Sequence, residues 1–429
     1  MAEQGRPSHV VVVGAGWAGW GAAKALCEAG VRVTLIDGMT DPTGRTPDRT
    51  ASGKPFEPGT RGFWKDYPNI NALTAELGLR DVYTPFTTSA FWSPDGLEAT
   101  APVFGNGPQL PSPLGQAFAT VSNFKRLPLA DRLSIAGLLL AMLDLNRNPE
   151  TFARYDGIDA LTLFRQLKIS ERMIDEFLRP ILLVGLFKPP EELSAAVTME
   201  LLYYYALAHQ DSFDVRWIRS RSIGEQLLAP LSQRLGREHQ LQVLGGTLAA
   251  RLNVSAGNGA IESVQTRSLA TGETGLIDGV DAVVLAVGAR GLGSLMAASP
   301  QCAALAPELL RAGELGAIDV VSVRLWLDRT VAVADPANVF SRFEALRGAG
   351  GTFFMLDQLQ GETLQELWGD QPVQGSVIAS DFYNASAIAE LSDQAIVDCL
   401  MQELLPLAQP AFREAQVVDQ APISTRQLN

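Results

Sequence analysis

The stretch from residue 9 to residue 37 limits the possible folds of this chain more than any other. Four consecutive valines at 10–13 are β-branched and apolar, which favours a parallel strand that helices cover on both faces. A glycine-rich turn follows, and the next residues predict a helix that runs to about Ala29. Residues 31–36 predict a second buried strand. The order strand, turn, helix and strand indicates the α/β class.

Three glycines with the spacing G-x-G-x-x-G form the turn. Gly14 allows a tight turn out of the strand, Gly16 lets a pyrophosphate approach the backbone, and Gly19 lets the helix lie close to the sheet. Ala15 and Ala18 complete this turn, whose free N–H groups at the helix start favour an anion. A tight turn without a ligand is the alternative, but it leaves the glycines unexplained, because glycine weakens helices and strands.

Asp37 stands at the end of the second predicted strand. An acid at this place can accept hydrogen bonds from the ribose hydroxyls of a bound dinucleotide. Because an acid suits a free 2′-hydroxyl and not a 2′-phosphate, NADP is disfavoured, whereas NAD and FAD both stay open. The whole pattern is therefore that of a Rossmann-like dinucleotide-binding domain.

Charge and residue usage argue against several other functions. The 429 residues include 34 Lys and Arg against 47 Asp and Glu, a net charge of −13, so a nucleic-acid partner is not expected. The three cysteines lie far apart without C-x-x-C spacing, so neither a metal site nor a disulfide framework is indicated. With three histidines in the sequence, a Ser-His-Asp hydrolase has few bases to use.

The sequence predicts a protein that is cytoplasmic or peripheral on a membrane surface. The N-terminal region lacks the charged start, apolar run and cleavage site of a signal peptide. The most apolar run, at 135–143, is about half of what crosses a bilayer as a helix. The helix predicted over 131–146 is apolar nearly all round, which fits either a core helix or a face resting on a membrane.

Two more motifs follow the dinucleotide pattern. Gly44 and Arg45 come shortly after the second strand, and Gly59, Arg61 and Gly62 lie within the run FEPGTRGFWKDYPN. Taken with the first motif, this order resembles the FAD-dependent amine oxidase and phytoene desaturase superfamily. Similarity to the helical cap and second half of carotene desaturase relatives is found at 127–132, 187–196, 213–217, 320–328, 353–360 and 379–385.

The resemblance implies FAD as the cofactor and a chain of three units. A discontinuous Rossmann-like FAD/NAD(P)-binding domain is built from residues 1–100 and 215–300. A helical cap at 101–214 is inserted into it, and a mixed α+β substrate domain follows at 301–429. In this family a strand like the one predicted at 279–288 returns to the sheet, and its Gly288 passes beside the cofactor.

The same resemblance places the flavin ring between sheet and cap, nearest to Gly44, Arg45, Gly59, Arg61 and Gly62. It gives Arg61 a charge opposite the diphosphate or the reduced flavin. No catalytic side chain is assigned, because the flavin supplies the reactive N5 atom itself. The resemblance does not add a metal site.

The sequence departs from the family at two places. The family usually has two adjacent glycines before the arginine of the first loop, where this sequence has Thr43, Gly44 and Arg45. The family also closes its flavin site with an Ala-Gly-Asp turn and a glycine-rich helix, which are not found up to Asn429. We therefore expect weak FAD binding, from either a truncated flavoprotein or a relative that has lost flavin chemistry.

These features predict an FAD-dependent oxidoreductase that desaturates or isomerises an apolar, isoprenoid or carotenoid-like substrate. Two alternatives stay open: an NAD-dependent dehydrogenase with the same motif, and a non-catalytic relative that binds a polyene or a partner protein. A run of tyrosines at 203–205 fits either interface packing or an aromatic wall beside a long apolar ligand.

Overall fold

The computed structural model describes most of the chain. The described residues are 7–60, 62–80, 82–101, 110–111, 114–123, 126–145, 148–204, 215–219, 222–340, 342–360 and 364–428.

The strands, in chain order, are β1 (His9–Val13), β2 (Arg32–Ile36), β3 (Asp48–Arg49), β4 (Pro55–Phe56), β5 (Phe63–Trp64), β6 (Ser89–Ser93), β7 (Gly96–Ala101), β8 (Val215–Arg216), β9 (Leu241–Leu244), β10 (Thr247–Val254), β11 (Ile261–Ser268), β12 (Thr274–Asp278), β13 (Ala282–Leu285), β14 (Ile318–Leu327), β15 (Ala337–Phe340), β16 (Gly350–Met355), β17 (Val377–Tyr383), β18 (Val417–Gln420) and β19 (Ser424–Leu428).

The α-helices are α1 (Trp17–Glu28), α2 (Pro68–Glu76), α3 (Leu114–Asn123), α4 (Leu129–Leu133), α5 (Ala136–Asp144), α6 (Pro149–Asp156), α7 (Ala160–Gln166), α8 (Glu171–Met173), α9 (Arg179–Gly185), α10 (Ala195–Leu202), α11 (Ala229–Glu238), α12 (Ala289–Ala298), α13 (Pro300–Leu305), α14 (Pro307–Ala312), α15 (Leu356–Leu359), α16 (Leu364–Trp368), α17 (Ser386–Ala389), α18 (Asp393–Asp398) and α19 (Leu405–Ala408). Wider π-type turns at Ile174–Leu178, Gly224–Leu228 and Cys399–Leu404 extend α9, α11 and α19 at their starts.

The predicted nucleotide-binding motif forms the centre of a parallel sheet. Its four strands run in the order β13-β1-β2-β9, and all three pairings are parallel. Every residue of β1 is buried, as expected for a strand covered on both faces. Helix α1 packs on this sheet through Trp20, Ala23 and Cys27. A separate antiparallel sheet, β10-β11-β12, follows β9. The predicted α/β class and Rossmann-like core are confirmed.

A second, larger sheet of eight strands provides the other half of the molecule. Its strands run in the order β18-β14-β17-β16-β15-β6-β7, with β19 also paired to β14. The early hairpin β6–β7 joins this sheet through parallel pairing of β6 with β15. The sequence-based boundary at residue 100 was therefore wrong for this hairpin, because long-range pairing with β15 draws it into the larger sheet.

The helices α3 to α10, called the cap below, share an apolar core with part of the larger sheet, and this core includes Leu138, Met142 and Phe164. The predicted long helix over 131–146 is two helices, α4 and α5, separated by a turn at Ser134. Helix α5 is not buried all round, since Leu140 is 68% exposed whereas Leu138 is 2% exposed. In the described part of the chain, the helices are too short or too polar to cross a bilayer.

Candidate flavin and substrate site

The glycine turn between β1 and α1 is packed tightly at two glycines and open at the third. A Cβ atom on Gly14, whose φ is +99°, would lie 2.3 Å from the carbonyl oxygen of Ala286. A Cβ on Gly19 would lie 1.7 Å from the carbonyl oxygen of Gly14. At Gly16, by contrast, a Cβ would meet nothing within 4 Å. The turn thus leaves free space at the one glycine where a pyrophosphate is expected to approach.

The carboxylate of Asp37 helps to hold this turn. Its Oδ2 accepts a hydrogen bond of 2.7 Å from the backbone N–H of Ala15, and its Oδ1 accepts one of 2.7 Å from the N–H of Met39. Ala15 is buried, whereas Ala18 is exposed on the first turn of α1. Asp37 therefore has a structural task beside the predicted contact with ribose, and that contact remains a prediction.

The second predicted loop approaches the helix that begins near Gly224. Gly44 has a φ of +66°, and a Cβ on Gly224 would lie 2.2 Å from the carbonyl oxygen of Gly44. The side chain of Arg45 is exposed. Gly288 is the N-cap of α12, while the neighbouring Ala286 contacts the first glycine turn. The backbone of Ala286 is a contact that the sequence motifs did not indicate.

The third predicted segment lies against the larger sheet. Gly59 has a φ of +77°, and a Cβ there would be 3.7 Å from both Asp381 Oδ1 and Ser322 Oγ. A Cβ on Gly62 would lie 2.6 Å from a methyl group of Val215. Arg61, between these two glycines, lies outside the described residues. The segment is thus placed where the two halves of the molecule meet.

A cavity of about 440 Å³ opens beside these loops. Its wall includes Phe56, Gly59, Thr60, Trp217, Ser222 and Arg324. Among the buried polar atoms of this wall, Thr60 Oγ1, Trp217 Nε1 and Arg324 Nε have no hydrogen-bond partner among the described residues. Buried polar groups in native proteins are nearly always paired. The cavity is therefore suited to a ligand with several polar atoms.

A second cavity, of about 290 Å³, lies between the cap and the larger sheet. Thr60 and Trp217 line both cavities, so the two share a wall. The second wall is largely apolar and includes Phe91, Ile181, Val184, Phe187, Phe354 and Tyr383. None of the described residues that line it carries a charge. This cavity is suited to a neutral, apolar molecule.

The rings of Phe187 and Tyr383 stack at the side of the second cavity, with centroids 4.9 Å apart and planes inclined by 13°. Phe187 has a φ of +59°, a strained conformation for a bulky residue that persists only where the surroundings enforce it. Burial, together with the nearby charge of Asp381, raises the pKa of Tyr383. Its hydroxyl therefore stays neutral and adds no charge to the cavity.

Comparison with known proteins identifies the class. The family model of flavin containing amine oxidoreductases matches residues 18–421, and the chain belongs to this family. It is an FAD-dependent oxidoreductase, which sets aside the NAD-dependent dehydrogenase considered from the sequence.

Among curated relatives, the carotenoid phi-ring synthase of Streptomyces griseus is 28% identical over 96% of this chain and 75% of that protein. The 15-cis-phytoene desaturase of Solanum lycopersicum is 24% identical over 94% of this chain and 65% of that protein. The chain thus spans about two thirds to three quarters of the length of these relatives.

Solved structures show the same fold. An oxidoreductase from Methanosarcina mazei superposes with a TM-score of 0.63 at 14% identity, over 96% of this chain and 87% of that one. Putrescine oxidase bound to putrescine gives 0.62 at 16% identity, over 96% and 84%. Likeness at this level of identity supports the predicted architecture and does not transfer a substrate.

The residues of this chain fit FAD. The open space at Gly16 and the helix start behind it suit a pyrophosphate. The partnerless donors around the larger cavity, Trp217 Nε1 and Arg324 Nε, suit the polar edge of a flavin ring. Sequence reasoning missed Trp217, Arg324 and Asp381. A usable signal exists for Arg324 alone, because arginine is unexpected in the apolar run 320–327.

Proposed function

We propose that this oxidoreductase acts on a carotenoid-like, apolar isoprenoid. The observation that carries the proposal is the uncharged cavity of about 290 Å³ that shares Thr60 and Trp217 with the larger, partly polar cavity. A flavin in the larger cavity and a hydrocarbon in the smaller one would meet at this shared wall. The names of two relatives, carotenoid phi-ring synthase and 15-cis-phytoene desaturase, agree with such a substrate.

FAD supplies the acceptor for hydride or electron transfer when it is bound. The residues of this chain bind and orient the cofactor and the substrate, and they exclude water. The Gly14–Gly19 turn holds the adenosine-diphosphate side. The stacked Phe187 and Tyr383 give a flat, rigid surface against which a conjugated chain can lie. The aromatic and aliphatic wall keeps water away from the reacting bond.

Amine oxidation is the alternative that the family allows. A cationic amine needs a carboxylate or another negative group to replace its hydration, because burying an unpaired charge is costly. The described lining of the smaller cavity has neutral polar groups, among them those of Ser89, Asn338 and Thr352, and no acid. The cavity therefore favours a hydrocarbon over an amine.

The cap also exposes apolar side chains that suit a lipid surface. Large apolar side chains on α3, α4 and α5 are more than half exposed: Leu114, Phe118, Leu129, Leu133, Leu140 and Leu143. Carotenoid-like hydrocarbons dissolve in lipid, so an enzyme that takes them must reach a membrane or a similar store. We propose that these side chains form one membrane face, which rests on the membrane while the substrate enters.

The test is reduction of the bound flavin by candidate substrates. Protein loaded with FAD is mixed without oxygen with liposomes that contain acyclic or cyclic carotenes, and separately with putrescine and other amines. Loss of oxidised-flavin absorbance with a carotene, and mass-spectrometric detection of the altered carotene, are the expected results. Reduction by amines alone would contradict the proposal. Carotene binding with neither flavin reduction nor an altered carotene, also after the flavin has been reduced with dithionite, would favour the non-catalytic relative.

A matched pair of variants places the substrate. Val184→Asp puts a carboxylate in the smaller cavity, so carotene-driven reduction should fall at least tenfold while flavin content stays the same. Leu276→Asp makes a similar change on β12, where the side chain is 56% exposed, and should leave reduction unchanged. Equal rates of carotene-driven flavin reduction in both variants would show that the substrate does not bind in this cavity.

A further inference from the structure

Arg324 lies in β14, a strand whose residues are mostly apolar. Side chains alternate between the two faces of a strand, so Arg324 shares its face of β14 with Ser322. The opposite face, which carries Val321, Val323, Leu325 and Leu327, is buried in the core of the larger sheet. The two polar residues therefore point away from that core, toward the Glu57–Gly59 segment.

The guanidinium of Arg324 is buried and incompletely paired. The residue is 9% exposed. Its Nη2 donates a hydrogen bond of 3.2 Å to the carbonyl oxygen of Glu57, and its Nε has no partner among the described residues. Burial lowers the pKa of Arg324 to about 10, although the charges of Glu57 and Asp381 act in the opposite direction. The group is thus still a cation at neutral pH.

Asp381, a buried carboxylate whose charge acts on Arg324, already accepts other hydrogen bonds. Asp381 Oδ1 accepts a hydrogen bond of 2.6 Å from Ser322 Oγ, and its Oδ2 accepts one of 3.1 Å from the backbone N–H of Thr60. A buried cation is costly unless it is paired and hydrogen-bonded. The free Nε and the cavity beside it therefore indicate a further negative or polar group that is supplied by a ligand.

The position of Arg324 narrows the choice of ligand. Arg324 lines the larger cavity, which adjoins the Gly59–Thr60 turn, and it does not line the apolar cavity. A carotenoid-like hydrocarbon has no polar or negative group that a guanidinium could bind. A flavin provides such a group, because its oxidised ring takes up two electrons and one proton on reduction and then carries one negative charge.

We propose that Arg324 binds the flavin ring and stabilises the negative charge that the ring gains on reduction. A fixed charge beside the ring is one of the means by which a protein tunes a flavin. The inference deepens the proposed function and rests on its flavin site. It assigns to Arg324 a role that sequence reasoning gave to Arg61.

The experiment uses FAD-loaded protein and two readouts that do not depend on the natural substrate. The first is the two-electron reduction potential, measured by dithionite titration with a reference dye. The second is the affinity for sulfite, which donates its electron pair to N5 of the oxidised flavin and leaves a negative charge on the ring. The variants are Arg324→Met, Arg324→Lys and, as the control, Arg267→Met, which removes one positive charge from an exposed position on β11.

Arg324→Met should bind sulfite at least tenfold more weakly than Arg267→Met, and its potential should be more negative by about 30 mV for each tenfold change of a two-electron equilibrium. Arg324→Lys should restore sulfite binding near neutral pH. A buried lysine titrates more readily than arginine, so this rescue should fade at alkaline pH while the parent keeps its affinity.

Sulfite affinity and potential in Arg324→Met within twofold of the Arg267→Met control would overturn the inference. If the methionine variant does not fold, the comparison of Arg324→Lys with the parent decides: matching pH profiles overturn the inference, and an alkaline loss confined to the lysine variant supports it. Failure of the parent itself to bind FAD would instead refute the flavin site and with it the proposed function.

Discussion

Gly16 and Gly19 lie in the same turn, yet substitution should harm different properties of the protein. At Gly16 a side chain enters open space, where the pyrophosphate is expected to approach. At Gly19 a Cβ would lie 1.7 Å from a backbone carbonyl oxygen, and backbone gives way far less easily than a flexible side chain. We expect Gly16→Val to lose cofactor and keep its fold, and Gly19→Ala to lose stability.

The magnitudes follow from these contacts. Gly16 is the N-cap of α1 with a φ of −69°, which a valine can adopt, so the free energy of unfolding of the apoprotein should fall by about 1 kcal/mol or less. Displacing the pyrophosphate forfeits at least one hydrogen bond to a charged group, about 1.5 to 3 kcal/mol, which is roughly a 10- to 150-fold weaker FAD affinity. Overpacking at Gly19 should cost the apoprotein about 1 to 3 kcal/mol or more.

The dissociation constant for FAD comes from titration of apoprotein, and the free energy of unfolding comes from urea denaturation of the same preparations. Gly16→Val should differ from the parent mainly in the dissociation constant for FAD, and Gly19→Ala mainly in the free energy of unfolding. Parental FAD affinity in Gly16→Val would show that the pyrophosphate does not approach the chain at this glycine. Equal loss of stability in both variants would show that a side chain at Gly16 does not enter open space.

Three other perturbations test separate parts of the structure. Asp37→Ala should weaken FAD binding and also destabilise the apoprotein by about 1 to 3 kcal/mol, because it leaves the buried N–H of Ala15 unpaired. FAD titration checks the first effect and urea denaturation of the apoprotein checks the second. Unchanged apoprotein stability would contradict the structural role of Asp37 in the glycine turn. Leu140→Glu should reduce flotation with liposomes without changing the melting temperature, whereas Leu138→Glu should lower that temperature; no change in flotation for Leu140→Glu would refute the membrane face. Burial, and then the charge of Glu98, raise the pKa of Glu176 above its ordinary 4.5. The protonated form therefore favours the fold, and the free energy of unfolding should fall as pH rises from about 4.5 through that raised pKa. Urea denaturation at several pH values should show a flatter dependence of this free energy on pH for Glu176→Gln, and an unaltered dependence would exclude Glu176 as its source.

The nucleotide-binding core could be predicted because its information is local. The valine strand, the glycine turn, helix α1 and strand β2 lie within residues 9–36, and each adopts the structure its own residues favour. The tight contacts at Gly14 and Gly19 are made within this unit or with Ala286, which directly follows the returning strand β13. The resemblance then supplied the order of the remaining units, which no local pattern contains.

The cap boundary and the face of α5 were harder to predict for a physical reason. The hairpin β6–β7 could belong to any sheet with a free edge, and only its parallel pairing with β15, more than two hundred residues later, decides the matter. Helix α5 is apolar on all sides in sequence, so periodicity alone does not separate the buried Leu138 from the exposed Leu140. Tertiary contacts make that distinction.

The site itself depends on contacts between residues that are far apart in the sequence. The backbone of Thr60 donates to Asp381 on β17, and Asp381 in turn accepts from Ser322 on β14. Because Thr60 belongs to the wall between the two cavities, the larger sheet fixes the position of that wall. The register of β14 against β17 sets Ser322 opposite Asp381, and a slip by one residue would turn both Ser322 and Arg324 to the core face. The same pairing thus fixes the shared wall and brings the buried cation to the larger cavity, which is why neither could be predicted from the sequence of one segment alone.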